Sequence, residues 1–358
     1  MELLMFENPT DSNLTSHRSS LANGTWSSGG VTFFIIQGLA GLGEKRLSLF
    51  VILFVGYVII LAGNTMIIFV VRTENPKLSS PMYFFLRNLS FVDLVYTTTT
   101  IPNMLAGSLT NRLTISVPGC FLQMYFFIQL AVTGRGILTA MAYDRYLAIC
   151  NPLRYTAIMT RPVQMLLVAA AWGFGVLCTL PVTIMGVQRP YCGPNVVKHG
   201  WCDPSSVRRL VCADTSIDGI TSLSFALVAL LTTGILIATS YILITVSISR
   251  MGIAERLKSF GTCAAHLTVV SISYSAASCV YISYRVGNIS SEVRVIVAVL
   301  YSALTPFLNP MIYSLRNKEL REAIRRTFRR FSPAAVSVTK DINTVARAPV
   351  NWNFSSNT

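Results

Sequence analysis

This sequence predicts an all-α membrane protein: a seven-transmembrane helix bundle, N-terminus outside, followed by a short amphipathic cytoplasmic helix. Three observations predict it. The 358-residue chain is 52% hydrophobic and only 12% charged, whereas a soluble domain averages about 25% charged residues. Seven stretches reach the roughly 20 mainly apolar residues that carry a helix across the hydrocarbon core: 49–71, 82–104, 121–149, 163–185, 217–248, 259–284 and 293–315. Lys and Arg are shared unevenly between the connections, as they are in multi-pass proteins with a fixed orientation.

The net charge is +14, and its distribution argues for topology instead of a nucleic-acid partner. The connections after the first, third and fifth spans hold Arg72, Lys77, Arg145, Arg154, Arg161, Arg250, Arg256 and Lys258, and a further run extends from Arg316 to Arg330. The opposite connections hold fewer cations, mixed with most of the acids. The basic side is therefore expected to be cytoplasmic and in contact with anionic membrane lipid. Residues 1–46 read as an extracellular leader with glycosylation sequons at Asn13 and Asn23. No basic region precedes an apolar core at the N-terminus, so the first span is expected to act as a signal anchor. Residues 47–316 form the bundle. In 317–331, Leu320, Ile324, Phe328 and Phe331 recur at helical spacing among arginines, which predicts a helix lying along the inner leaflet. The polar tail, 332–358, is expected to be disordered.

The cysteines divide by side. Cys120, Cys192, Cys202 and Cys212 fall outside, where disulfides persist; four cysteines admit three pairings, and the sequence does not choose among them. Cys150, Cys178, Cys263 and Cys279 lie in or beside spans and read as small buried residues. His17, His199 and His266 are too scattered for a zinc site. Neither a catalytic Ser/His arrangement nor paired aspartates are apparent, so an enzyme is not expected and no cofactor or metal is implied. A transporter should show internal repeats and paired broken helices; only the last span carries a strong break.

The polar residues inside the spans are more informative. Asp93, in the second span, must face the bundle and find partners there; Asn309 and Asn64 are the expected ones. Pro310 removes a donor from the last span and frees a carbonyl. At the inner end of the third span, Asp144 and Arg145 are adjacent opposite charges. Such a pair can satisfy itself in one packing and exchange partners in another.

Several of these residues sit in longer motifs: PMYFFL at 81–86, MAYDRYLAIC at 141–150, Ser240-Tyr241, KSFGTCAAHL at 258–267 and PFLNPMIYSLRN at 306–317. In this order, over residues 64–320, they resemble the olfactory receptors, a branch of the rhodopsin-like (class A) G-protein-coupled receptors. The resemblance implies a receptor for a small-molecule odorant, coupled to a stimulatory-type heterotrimeric G protein that raises cyclic AMP. It implies a place in the plasma membrane of olfactory sensory neuron cilia. It also implies the disulfides Cys120–Cys202 and Cys192–Cys212, and a switch made of Asp93, Asp144, Arg145, Tyr146, Tyr241, Tyr274, Asn309, Pro310 and Tyr313. The alternatives are a non-olfactory class A receptor for another small ligand and, further off, a transporter.

The chain departs from the family pattern at three places. The family has a Glu ten residues before the Asp of its DRY motif, thought to help Asp bind sodium; here Gly134 and Arg135 stand there. Arg135 is expected to pair with Asp93 in place of the cation. Ser273-Tyr274-Ser275 replaces Phe-Tyr-Gly, and His199-Gly-Trp-Cys202 replaces the usual Phe-Phe before the cysteine.

A bundle core beneath a disulfide-bound loop is the default pocket for a small ligand. Helical periodicity from the motifs turns Phe127, Ile128, Ala131 and Val132 inward from the third span, with Phe225 and Ala229 opposite them in the fifth. Ala277, Ser278 and Tyr281 face inward from the sixth, and Ser302 from the seventh. This wall is mostly apolar with a few hydroxyls, which suits a small neutral or amphipathic molecule. Amine receptors of the wider class carry an Asp where Phe127 stands, so a biogenic amine is disfavoured.

Overall fold

A computed structural model describes residues 31–38, 45–74, 78–110, 113–249, 251–285 and 291–331. Asn13, Asn23 and the segment 332–358 lie outside these residues. Seven long helices cross the molecule: α1 (Lys45–Thr73), α2 (Pro81–Leu109), α3 (Val117–Cys150), α5 (Arg161–Val187), α7 (Ser216–Ser249), α8 (Ile253–Arg285) and α9 (Ser291–Arg316). Each contains one of the seven expected spans and extends it at both ends. Short helices α4 (Tyr155–Ile158) and α6 (Pro204–Arg208) lie in connections, and α10 (Lys318–Phe331) follows α9. Three strands, β1 (Phe33–Ile36), β2 (Leu113–Ser116) and β3 (Val196–Val197), form one small sheet.

Local chemistry sets several helix starts. Pro81, Pro118, Pro162 and Pro204 occupy the first turn of α2, α3, α5 and α6, where a missing N–H costs nothing and φ is already helical. At α3 the Ser116 hydroxyl also accepts from the Gly119 N–H at 3.2 Å.

Among the described residues, six long helices are apolar enough to cross a membrane by length and composition; α2 is not among them. It carries Asn88, Asp93 and the run Thr97 to Thr100. Two arrangements accommodate this polarity. First, α2 packs against α1, α3, α5 and α9, burying Ser90, Asp93, Thr97 and Thr100 against protein. Second, the threonines return their hydroxyls to their own backbone: Thr97 to the Asp93 carbonyl at 2.8 Å, Thr98 to Leu94 at 2.7 Å and Thr99 to Tyr96 at 2.6 Å. Both devices satisfy polar groups where lipid cannot.

The main apolar core runs through every long helix, with Ile67, Phe85, Leu130, Ile137, Met141, Ile237, Val269 and Tyr313 among its members. Helix α3 is its axis. A Cβ added at Gly136 would lie 2.8 Å from the Ala171 Cβ, so only glycine allows α3 and α5 to approach this closely. At Gly63 an added Cβ would lie 3.0 Å from the Pro310 Cβ, which brings α1 against the proline break of α9. Pro310 has no N–H to give the Pro306 carbonyl one turn back, and the Asn64 side-chain amide donates to that oxygen instead, at 3.0 Å. Asn64 is thus committed to α9 and is not a partner of Asp93, contrary to the expectation from sequence.

The sheet gathers one end of the bundle. Strand β1 pairs antiparallel with β2, Phe33 opposite Ser116, and parallel with β3, Ile35 opposite Val196. It thereby ties the leading segment to the α2–α3 and α5–α7 connections. Helices α4 and α10 close the other end. Helix α10 buries Leu320, Ala323 and Thr327 against the protein and leaves Phe328 exposed. Leu320, read from sequence as membrane-facing, therefore belongs to the core, because α10 folds back beneath α1 and α9.

Leaving a buried carbonyl unpaired costs roughly 1–3 kcal/mol, while measured hydrogen bonds inside membranes average nearer ~0.6 kcal/mol. Asn64→Leu is therefore expected to destabilise the purified protein by about 0.6–3 kcal/mol, read as a lowered melting temperature. A melting curve that coincides with wild type would show that the Pro306 carbonyl needs no donor.

Candidate functional site

At the sheet-bearing end, the α5–α7 connection is held by two disulfides, Cys120–Cys202 and Cys192–Cys212. Gln123 braces the first. Its amide oxygen accepts from the Cys202 N–H at 3.1 Å, and its amide nitrogen donates to the Thr99 carbonyl at 2.7 Å. Next to the bridge, Trp201 is 2% exposed and sits among Leu53, Met104, Val295, Ala298 and Val299, plugging the mouth between α1, α2 and α9. Below it, Phe127 lies 5.2 Å from the Trp201 ring and stacks on Tyr96 at 4.9 Å. His199 meets Trp201 edge-on at 4.3 Å. Burial lowers the His199 pKa, partly opposed by the charge of Asp203. Nearby, Tyr191 donates to the Gly186 carbonyl at 2.7 Å; burial, assisted by Asp218, pushes its phenol up to about 12.

Beneath this aromatic column lies a small cavity of about 50 Å³ between α2, α3, α8 and α9. Asp93, Tyr96, Ala131, Arg135, Ser273, Tyr301, Ser302 and Asn309 are among its walls. The Asn309 amide donates to Asp93 Oδ2 at 2.7 Å. Arg135 does not pair with Asp93 as expected from sequence. Its Nη1 points to the Tyr301 hydroxyl of α9 at 3.5 Å, and the Asn309 amide holds the carboxylate.

At the opposite end, Asp144 is fully buried and both its oxygens are engaged. Arg145 reaches Oδ2 through Nη2 at 2.5 Å and Nε at 3.0 Å, and Tyr155 of α4 donates to Oδ1 at 2.7 Å. Burial and then the adjacent carboxylate raise the Tyr155 pKa, so the phenol stays a donor. A second set of contacts links α3, α7 and α8. His266 Nε2 faces the Leu138 carbonyl at 2.9 Å, which can only accept. In the neutral ring the proton is therefore on Nε2, so Nδ1 accepts from the Tyr241 hydroxyl at 2.8 Å. Tyr274 shares a 2.8 Å hydrogen bond with Thr233 of α7. Tyr313 is completely buried in the main core. Helix α10 is anchored by Glu74, which meets Arg326 at 3.2 Å and Arg330 at 2.8 Å. The Tyr83 hydroxyl faces Glu319 at 2.7 Å and Asn317 at 3.1 Å.

The bundle with its strand-tied cap is similar in fold to the crystal structure of squid rhodopsin, with a TM-score of 0.64, 19% identity, and coverage of 79% of this chain and 80% of that one. The olfactory receptor family model matches residues 53–330. The chain belongs to the olfactory receptor family. Human Olfactory receptor 10J4 is 42% identical over 303 residues, 84% of this chain and 96% of its own length. Human Olfactory receptor 6N1 is 43% identical over 309 residues, covering 86% and 97% respectively. Mouse Olfactory receptor 10J5 is 41% identical over 295 residues, covering 82% and 94%. It is a multi-pass, G-protein-coupled odorant receptor and not an enzyme.

Within this olfactory receptor the ligand residues read from sequence separate into groups. Ala131 and Ser302 line the cavity, and Phe127 stands in the column above it. Ile128, Val132, Phe225 and Ala229 pack on one another with Cys178 and Phe174 of α5, forming a helix contact, not a cavity wall. Helical periodicity alone does not distinguish a neighbouring helix from a void. Ala277 is buried; Ser278 is exposed and spends its hydroxyl on the Tyr274 carbonyl at 2.9 Å. The side chain of Tyr281 lies outside the described residues. Of the switch residues, Tyr146 is half-buried and stacks on Tyr143 with 6.3 Å between ring centroids. Sequence reading missed Tyr155, Tyr301, Glu74 and the structural role of His266. For Tyr155 the only local signal is an aromatic in the basic loop after DRY; Glu74 could have been noticed as an acid among cytoplasmic arginines.

Two measurements test this geometry. A hydrogen bond to a charged group is worth about 1.5–3 kcal/mol. Tyr155→Phe should therefore shift the closed-to-open ratio about tenfold toward open and raise ligand-independent signalling. Unchanged basal signalling at equal surface expression would remove Tyr155 from the latch. For His199 the folded pKa is lowered, so the unfolded chain takes up a proton first as pH falls. Stability should be lost as pH drops below the unfolded value of about 6.5, and His199→Gln should flatten that loss. A variant whose melting temperature falls as steeply as wild type would assign the pH dependence elsewhere.

Proposed function

We propose that this receptor takes its odorant into the bundle beneath Trp201 and the Cys120–Cys202 disulfide. It then activates a stimulatory or olfactory-type heterotrimeric G protein and so raises cyclic AMP. The observation that carries the proposal is the closed latch: a buried Asp144 saturated by Arg145 and Tyr155 at the end remote from the aromatic column. An odorant favours the packing in which Arg145 leaves Asp144 only to the extent that it binds that packing more tightly. Tyr96 and Phe127 adjoin the cavity on one side and Trp201 on the other, while Asp93 and Asn309 bound the cavity towards Tyr313. A molecule wedged there acts on α2, α3 and α9 together.

The asymmetry of basic residues supports an orientation with the N-terminus and sheet outside and α4 and α10 in the cytoplasm. Glycans at Asn13 and Asn23 accord with that orientation, as does contact of the exposed Phe328 and its neighbouring arginines with lipid. Family membership favours the plasma membrane of olfactory sensory neuron cilia.

The test is cyclic AMP accumulation in cells displaying the receptor, screened across odorant classes, with Arg145→Ala beside wild type. A dose-dependent rise that Arg145→Ala abolishes at equal surface display is expected. Odorant responses that persist through another second messenger without cyclic AMP would overturn the stimulatory assignment.

A further inference from the structure

Arg135 lies near the middle of α3, half-buried on the wall of the cavity. An arginine at that depth costs several kcal/mol unless an anion or water meets it. Among the described residues it has no carboxylate partner. Nη1 makes one long contact to the Tyr301 phenol, and Nε is buried without an acceptor. Asp93, on the same cavity, is occupied by the Asn309 amide and forms no ion pair with it. The guanidinium is thus a planar fork of donors, largely unused, at the edge of a cavity of about 50 Å³, room for a carboxylate head group, with the tail requiring the neighbouring side chains to part. Such a fork matches a carboxylate through two parallel hydrogen bonds.

The surrounding walls fit the rest of such a ligand. Tyr96, Tyr301 and Ser302 bring hydroxyls to the cavity, while Leu130, Ala131 and Leu138 bring apolar surface. Phe127 and Trp201 continue that apolar path toward the disulfide-bound end.

We propose that Arg135 is a specificity-determining ligand contact that makes this a receptor for small carboxylic acids. The carboxylate sits on the guanidinium and the hydrocarbon tail runs along Ala131 toward Phe127. The inference rests on the reading of the bundle core as the odorant site. Asp93 shares the cavity and repels a second carboxylate, so it opposes acid binding and its neutralisation strengthens it.

The test reads binding, because Asp93 belongs to the proposed switch. Thermal unfolding of the full-length receptor in lipid nanodiscs is followed at neutral pH with straight-chain acids from butanoic to decanoic. Matched alcohols and methyl esters, and sodium chloride alone, are run beside them. Acids are expected to raise the melting temperature with an optimum in chain length, and the uncharged partners to do so much less. Arg135→Gln should weaken acid binding about tenfold or more and leave the alcohols unchanged; Arg135→Met provides a second neutral variant should the first fail to fold. Asp93→Asn should tighten acid binding. Equal shifts by acids and alcohols, no shift by any acid, a shift reproduced by chloride, or an acid shift that survives Arg135→Gln would each overturn the proposal. Should neutral odorants still drive the cyclic AMP response, the bundle-core receptor reading stands and the acid assignment alone falls.

Discussion

The requirement that every polar group inside lipid find a partner shapes this receptor more than any single apolar contact. Its clearest expression is the break in α9. Pro310 deprives the Pro306 carbonyl of its helical donor, and Asn64 supplies one from α1 at 3.0 Å. One turn along, Asn309 donates to Asp93 of α2 at 2.7 Å. Three helices are thereby registered by two hydrogen bonds, and Gly63 permits the close approach that both require. Because these bonds are few and individually modest, the knot fixes register without making the bundle rigid.

The two ends of the bundle are built on opposite principles. At the sheet-bearing end, covalent bridges and strand pairing hold the loops, and Gln123 ties the Cys202 backbone to α2 and α3. One ion pair, Arg189 with Asp218 at 2.7 Å, joins the end of α5 to α7 there. At the other end the fastenings are polar and exchangeable: Asp144 with Arg145 and Tyr155, Tyr241 with His266, and Glu74 with two arginines of α10. A fixed end and an exchangeable end make a lever. On the proposed reading, a displacement at the aromatic column is passed to the end whose bonds can change partners.

The sequence made the helices legible because burial in lipid demands long apolar runs, and all seven lie inside the observed helices. Residues 82–104 were read as one of those apolar runs, although α2 is too polar to qualify by composition and buries its polar groups against neighbouring helices. The partners were less legible. Asn309 for Asp93 follows from two polar residues that must meet inside a bundle, whereas Asn64 serving a freed carbonyl depends on an interhelical distance that only Gly63 and Pro310 together establish. The ligand wall shows the same limit. Ile128, Val132, Phe225 and Ala229 do turn inward, yet α5 fills the space they face. Tyr155 carries no periodic signal at all; its significance comes from a short connection folding back under α3.

Arg135 is a charged group for which the requirement of a partner inside lipid is poorly met. Asp93 and Asp144 are each tied by short hydrogen bonds, while this guanidinium has a single contact at 3.5 Å and a buried Nε without an acceptor. A membrane protein can carry such a group at mid-depth only if the cost is recovered in some state it occupies. Asp93 is the near candidate, but its Oδ2 is already held by the Asn309 amide that registers α2 against α9. An anion that is not part of the chain can meet Arg135 and leave that bond intact. The energetics of the knot therefore favour satisfying Arg135 with a ligand instead of with the receptor's own acid.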